Sequence, residues 1–211
     1  MTAAAHLTGL LLASVARLVT GAQGHWLGCP PKAEQRIYFA NHQSHLDWVL
    51  IWAALPHDLR ATTRPIAARD YWTRTRLRHW VTREVFNAVY VDRQRTDDQD
   101  PLEPLVAALE HGDSLVIFPE GTRSLRAEPQ PFKSGLYHLA ERFPGVPLVP
   151  AWIDNVQRVM PKGEVVPVPV LCSVTFGEPL QLQPGEDKRA FLERARSAVL
   201  ALRPAGRRTA R

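Results

Sequence analysis

Short apolar runs of strand length recur along this chain with helix-length stretches between them, and that alternation limits the folds open to it. Ile37, Tyr38, Phe39 and Ala40 read as a short buried strand, followed by a helix through Trp48, Val49, Leu50, Ile51 and Trp52 that stops at Pro56. Val89, Tyr90 and Val91 form another strand. Asp100 and Glu103 make a D-x-x-E cap for a helix ending near Glu110, with Gly112 just past it. Residues 115 to 118 predict a strand, 134 to 142 a helix, 148 to 153 a strand, and 173 to 176 a late strand. Residues 187 to 202 predict a long amphipathic helix with Phe191, Ala195, Ala198, Val199 and Leu202 on its apolar stripe. The pattern is that of an α/β fold: one domain with a mixed, largely parallel sheet flanked by helices. At 211 residues the chain can bury such a core without disulfide or metal staples.

The ends read differently. Gly28, Cys29, Pro30 and Pro31 break the chain, separating residues 1–30 from a domain at 31–203, and residues 204–211 form a basic tail with three arginines. In residues 7 to 19, Leu7, Leu10, Leu11, Val15, Leu18 and Val19 share one helical face. That face suits a helix packed on the core and a helix lying in a membrane interface equally well. The run contains Arg17 and falls short of the roughly 20 apolar residues of a spanning helix. No basic stretch precedes it, so a secretory leader is not expected. Cys29 and Cys172 stand in neither disulfide nor metal-ligand spacing, which fits a reducing compartment. A formal charge of +5, from 26 Lys+Arg against 21 Asp+Glu, favours anionic partners.

Chemistry concentrates in Asn41-His42-Gln43-Ser44-His45-Leu46-Asp47, between a strand and a helix. On one continuous helix His42 and Asp47 would point about 140° apart, so they meet only if the chain turns and the helix starts near Asp47. Asp47 can then accept the proton of one imidazole nitrogen and leave the other as a base. Taken alone, the pair reads equally as a structural histidine beside a helix-capping aspartate. A metal site from His42, His45 and Asp47 lacks a further ligand to complete it, and no metal or cofactor is expected. A second patch, Phe118-Pro119-Glu120-Gly121-Thr122-Arg123-Ser124, follows a strand. Gly121 permits a tight turn and Arg123 offers a fork suited to two phosphate oxygens. Arg93 at a strand end and Lys133 before a helix are further cations.

Together these blocks, N-H-x4-D at 41–47, V-D-R at 91–93, F-P-E-G-T-R at 118–123 and V-P-L-V-P-A at 146–151, resemble the four ordered motifs of the glycerolipid acyltransferase family. The resemblance is to its 1-acyl-sn-glycerol-3-phosphate acyltransferase branch and covers residues 35 to 180. It implies a glycerol-3-phosphate acyltransferase-like fold and direct transfer of a fatty acyl chain from a thioester, acyl-CoA or acyl carrier protein, to a lysophospholipid hydroxyl. By the same resemblance His42 is the general base, Asp47 orients it, and Arg93, Glu120, Gly121, Thr122, Arg123 and Lys133 bind substrate. Two departures stand out. Asn87-Ala88-Val89-Tyr90 stands where the second block usually begins with glycine and an aromatic residue before its arginine, and Arg69 is the nearest cation to a lysine the family commonly carries. Alternatives in view are another acceptor, such as glycerol 3-phosphate or a phosphate-free lyso-lipid, and a non-catalytic lipid-binding membrane module.

Residues 60 to 95 hold nine arginines and three acids, with Tyr71, Trp72, Trp80 and Phe86 among them. Leu77, Trp80 and Val81 are expected to share one helical face. No nucleic-acid motif accompanies the charge, so nucleic acid is not an expected partner. The expectation is a peripheral enzyme on the cytoplasmic face of the cell membrane, held to anionic lipid by this basic surface.

Overall fold

The computed structural model describes residues 7–9, 14, 23–44, 47–92, 100–124, 126, 128–154 and 172–204. Its framework is one seven-stranded sheet in the order β1-β7-β6-β2-β5-β3-β4. The strands are β1 (Gln23–Trp26), β2 (Ile37–Ala40), β3 (Thr63–Ala68), β4 (Val89–Val91), β5 (Ser114–Ile117), β6 (Leu148–Asp154) and β7 (Ser173–Phe176). β6, β2, β5, β3 and β4 run parallel, while β7 pairs antiparallel with β6 and carries β1 alongside it. Helices α1 (Asp47–Ala54), α2 (His57–Thr62), α3 (Arg69–Trp72), α4 (Arg76–Trp80), α5 (Glu103–Glu110), α6 (Gly135–Arg142) and α7 (Lys188–Ala201) complete it, with a π-helical turn at Val81–Val85 directly after α4.

Both faces of the sheet are covered, which is why its central strands read as unbroken apolar runs. Successive side chains of β2 go to opposite faces, as the pleat requires. Tyr38 and Ala40 pack with α1 through Leu50, Ile51 and Trp52. Ile37 and Phe39 pack with α5, α6 and α7 through Leu109, Leu136, Phe191 and Val199. Asp187 caps α7, its Oδ1 accepting the Arg189 and Ala190 amides at 2.8 and 3.0 Å. The Asp100 cap takes another form. Its Oδ1 accepts the Leu102 amide at 2.9 Å, in a turn just ahead of α5, and Glu103 is the first helical residue.

Two strands depart from the sequence expectations. β1 carries no alternation, and β3, which contains Arg64 and Pro65, is announced by no apolar run. Pro65 fits because the pairing of β3 changes sides there: Thr63 to Pro65 face β5, and Ile66 to Ala68 face β4. The expected shared face of Leu77, Trp80 and Val81 also divides. Val81 packs against the core, whereas Leu77 and Trp80 are 71% and 37% exposed. Most of residues 7 to 19 lies outside the described residues, as does the tail beyond Pro204. Leu7 to Gly9 form a helical turn, and Gly9 is buried where a Cβ would lie 3.3 Å from Val85 Cγ1.

Asn87, ahead of β4, has φ +47°, the left-handed region that glycine enters most freely and asparagine next. The departure from glycine there is therefore conformationally mild. Arg64 holds it, donating from Nε to the Asn87 carbonyl and from Nη2 to its Oδ1, both at 2.8 Å, while Nη1 reaches Asp113 at 2.8 Å. Asn87→Gly should lose one partly exposed hydrogen bond, about 1 kcal/mol or less. Asn87→Val should cost about 1–2 kcal/mol more, because a β-branched residue resists positive φ. Urea midpoints of the two variants are expected in that order.

Candidate active site

The site lies at the carboxyl ends of the parallel strands, the usual position for ligand crevices in open α/β sheets. β2 ends at Ala40, and Asn41 prolongs its pairing with β6 through its side chain. Asn41 Nδ2 donates to the Ile153 carbonyl at 3.1 Å and Oδ1 accepts the Ile153 amide at 2.8 Å. The chain then turns, and α1 begins at Asp47. This brings His42 Nδ1 to 2.9 Å from Asp47 Oδ2. The same oxygen accepts the amides of Gln43 at 2.6 Å and Ser44 at 2.8 Å. Asp47 is 1% exposed in its side chain and His42 18%, so the carboxylate is sealed while the imidazole stays accessible. The Phe118 ring, leaving β5, stacks on the imidazole at 4.2 Å between centroids with 15° between planes.

Glu120 joins the two loops. Its carboxylate is turned inward, with the residue 2% exposed. Oε1 accepts the His42 amide and Oε2 the Gln130 amide, both at 2.8 Å. The Ser124 amide donates to the His42 carbonyl at 2.8 Å. Burial pushes the Glu120 carboxyl above its ordinary range, and the amides of Gln130 and His42 partly offset that. A carboxyl raised in this way binds its proton more tightly in the folded chain than in the unfolded one. Its contribution to stability is present below about pH 4.3 and is lost as pH rises through the native value.

Gly121 takes φ +68°, and its amide closes the turn on the Phe118 carbonyl at 2.9 Å. The Lys133 side chain runs across this bare backbone, so a Cβ at position 121 would lie 2.6 Å from Nζ. Thr122, Arg123 and Lys133 are exposed, and neither cation has a carboxylate partner among the described residues. Arg69 is engaged instead, 3.2 Å from the Asp92 carboxylate and with its guanidinium 5.6 Å from the Tyr90 ring centre. Arg93 and His45 lie outside the described residues. Both cysteines are buried, which raises their pKa and pushes Cys172 up to about 11, so they are poor nucleophiles at neutral pH.

Beside His42 opens a cavity of about 340 Å³. Its walls are largely apolar, from Trp48, Ile66, Trp72, Leu102, Leu105, Leu136 and Leu139, and Gly121, Lys133 and Asp92 supply polar edges. Sequence reasoning placed His42 and Asp47 together but missed the cavity, the stacking role of Phe118 and the Asn41 bridge. A signal for the last was present, an asparagine immediately after a buried strand.

The family described as Acyltransferase matches residues 30–154. The 1-acyl-sn-glycerol-3-phosphate acyltransferase alpha of Bos taurus is 30% identical over 179 residues, 82% of this chain and 59% of that protein. The 1-acyl-sn-glycerol-3-phosphate acyltransferase of Cocos nucifera is 34% identical over 167 residues, 68% of this chain and 50% of that protein. The chain thus spans half to three-fifths of the length of these relatives. The crystal structure of the 1-acyl-sn-glycerophosphate (LPA) acyltransferase PlsC from Thermotoga maritima superposes with a TM-score of 0.70 and 22% identity, covering 97% of this chain and 80% of that one. The fold is the one seen in that structure. The chain belongs to the acyltransferase family.

Replacing Glu120 tests the tie between the loops. In Glu120→Gln the side-chain amide faces one of two backbone donors, leaving a buried N–H unpaired at a cost of about 1–3 kcal/mol. Chemical unfolding should show that loss.

Proposed function

We propose that this protein is an O-acyltransferase that moves a fatty acyl chain from acyl-CoA or acyl carrier protein to the free hydroxyl of 1-acyl-glycerol 3-phosphate, giving phosphatidic acid. The observation that carries the reading is His42 Nδ1 held 2.9 Å from the buried Asp47 carboxylate at the edge of an apolar cavity. Nε2 is then the free base, and no described residue competes for it. It takes the acceptor's hydroxyl proton as that oxygen bonds to the thioester carbonyl carbon. Collapse of the tetrahedral adduct breaks the carbon–sulfur bond, and the departing thiolate recovers the proton from the imidazolium. Asp47 stabilises the charge on the ring meanwhile, so no acyl-enzyme is required.

The apolar cavity suits an acyl chain, and its size falls within the range of small-ligand sites. Arg123 and Lys133, exposed beside the Gly121 turn, suit the acceptor phosphate, with Thr122 beside them and Arg93 assigned there by the family motif. Glu120 acts as a positioning residue in this reading, because both its oxygens are already engaged. In this reading the enzyme works peripherally at the cytoplasmic face of the cell membrane, the surface that holds its lipid acceptor. Among the described residues no helix is long and apolar enough to cross a membrane.

The deciding experiment offers one acyl-CoA with 1-acyl-glycerol 3-phosphate, glycerol 3-phosphate or a phosphate-free lyso-lipid, scored by product mass. Product from the first acceptor alone supports the reading; none from any acceptor refutes it. His42→Ala should cut kcat by about 10²- to 10⁴-fold without unfolding the chain. Arg123→Ala should lower kcat/KM for the phosphate-bearing acceptor about fivefold to thirtyfold, chiefly through KM, because the side chain is solvent-exposed. Arg123→Lys should restore part of that, since an ammonium keeps the charge but not the fork. Equal losses with a phosphate-free acceptor would remove Arg123 from phosphate recognition.

A further inference from the structure

We propose that the exposed face of α4, where Leu77 and Trp80 stand among Arg74, Arg76, Arg78 and Arg83, is the surface that docks on a bilayer containing anionic phospholipid. The inference rests on the reading above that the acceptor is a membrane lipid. Leu77 is 71% and Trp80 37% exposed, two large apolar side chains at solvent within one five-residue helix. Residues 69 to 84 carry five arginines and two acids, Asp70 and Glu84. Arg83 Nε lies 3.5 Å from Glu84 and Arg69 is tied to Asp92, so the charge of the face comes chiefly from Arg74, Arg76 and Arg78.

The face is held in shape. Arg78 lies over the Tyr71 ring at 4.8 Å, Arg74 Nε donates to the Asp70 carbonyl at 3.1 Å, and Thr75 caps α4 by accepting the Arg78 amide at 3.3 Å. Beyond α4 the buried Val85 anchors the segment, and the Leu7–Gly9 turn packs beside it with Leu7 69% exposed. Tryptophan prefers the headgroup level of a bilayer, and arginine can bury its stem while its guanidinium meets phosphate. An acidic protein would match the charge, but it would not account for the uncovered leucine and tryptophan. Trp72, the last residue of α3 and four residues before α4 starts at Arg76, also lines the cavity beside His42, so docking here turns that side of the cavity towards the lipid.

The full chain is sedimented with vesicles of phosphatidylcholine alone and with about one-third phosphatidylglycerol added. Binding should favour the anionic vesicles and weaken with salt. Leu77→Asn with Trp80→Asn should weaken it about tenfold for each side chain, and Arg76→Ala about fivefold. An unchanged thermal midpoint shows that the variants fold. Their transfer to a short-chain lysophosphatidic acid in solution should match the parent, because these positions lie outside the catalytic pair. Absence of transfer in the parent itself would defeat the acyltransferase reading, while the sedimentation result would still report on docking. Variants that bind vesicles as the parent does overturn the proposal. If vesicle binding is unchanged and Arg76→Ala raises KM for acyl carrier protein alone, the face belongs to that acidic partner and the proposal also fails.

Discussion

The arrangement at the head of the sheet depends on one buried carboxylate. Glu120 binds the backbone of the loop after β2 with one oxygen and the Gln130 backbone with the other. Charge-assisted hydrogen bonds of this kind are stronger than neutral ones, and inside a protein they are poorly replaced by water. Their effect is geometric. With the Ser124 amide they fix where the backbone of His42 lies, while Asp47 holds the Gln43 and Ser44 amides that follow and, with Phe118, orients the ring. Burial disfavours the charge that makes these bonds strong, and the two amides are what make it tolerable.

Much of this was legible in the sequence because its determinants are local. The His42/Asp47 pair sits within one turn, and geometry required a helix to begin near Asp47, as α1 does. β2, β5 and β6 were legible because strands buried on both faces leave unbroken apolar runs. β1 and β3 were not. β1 is an edge strand whose order comes from pairing with β7, and β3 hides behind Pro65 because its partner changes at that residue. The role of Glu120 was illegible for a related reason. A carboxylate in a turn motif invites a ligand-binding role, and only the fold shows that its acceptors' partners are backbone amides from residues 42 and 130. The cavity is assembled from β3, α1, α3, α5 and α6, so no single stretch announces it.

The division of charge around the site follows the same logic. Arg64 and Arg69 are tied to Asp113 and Asp92 and so support structure around β3 and β4. Arg123 and Lys133 have no such partner among the described residues, and they stand next to the Gly121 turn. Composition reports all of them alike as positive charge. The distinction between a cation committed to the fold and one available to a ligand exists only in three dimensions.

The donors that shape the His42 loop have a consequence for how much information its sequence must carry. Gln43 and Ser44 reach Asp47 through their amides, Gln130 reaches Glu120 through its amide, and Ser124 reaches the His42 carbonyl in the same way. Every one of these bonds is made by a group that nineteen of the twenty amino acids possess. For these bonds the geometry forbids proline and leaves the side chain free for other uses, as at Ser124, whose Oγ accepts the Arg126 amide at 3.1 Å. What the loop's own fold asks of its side chains thus shrinks, because the main chain supplies much of the precision.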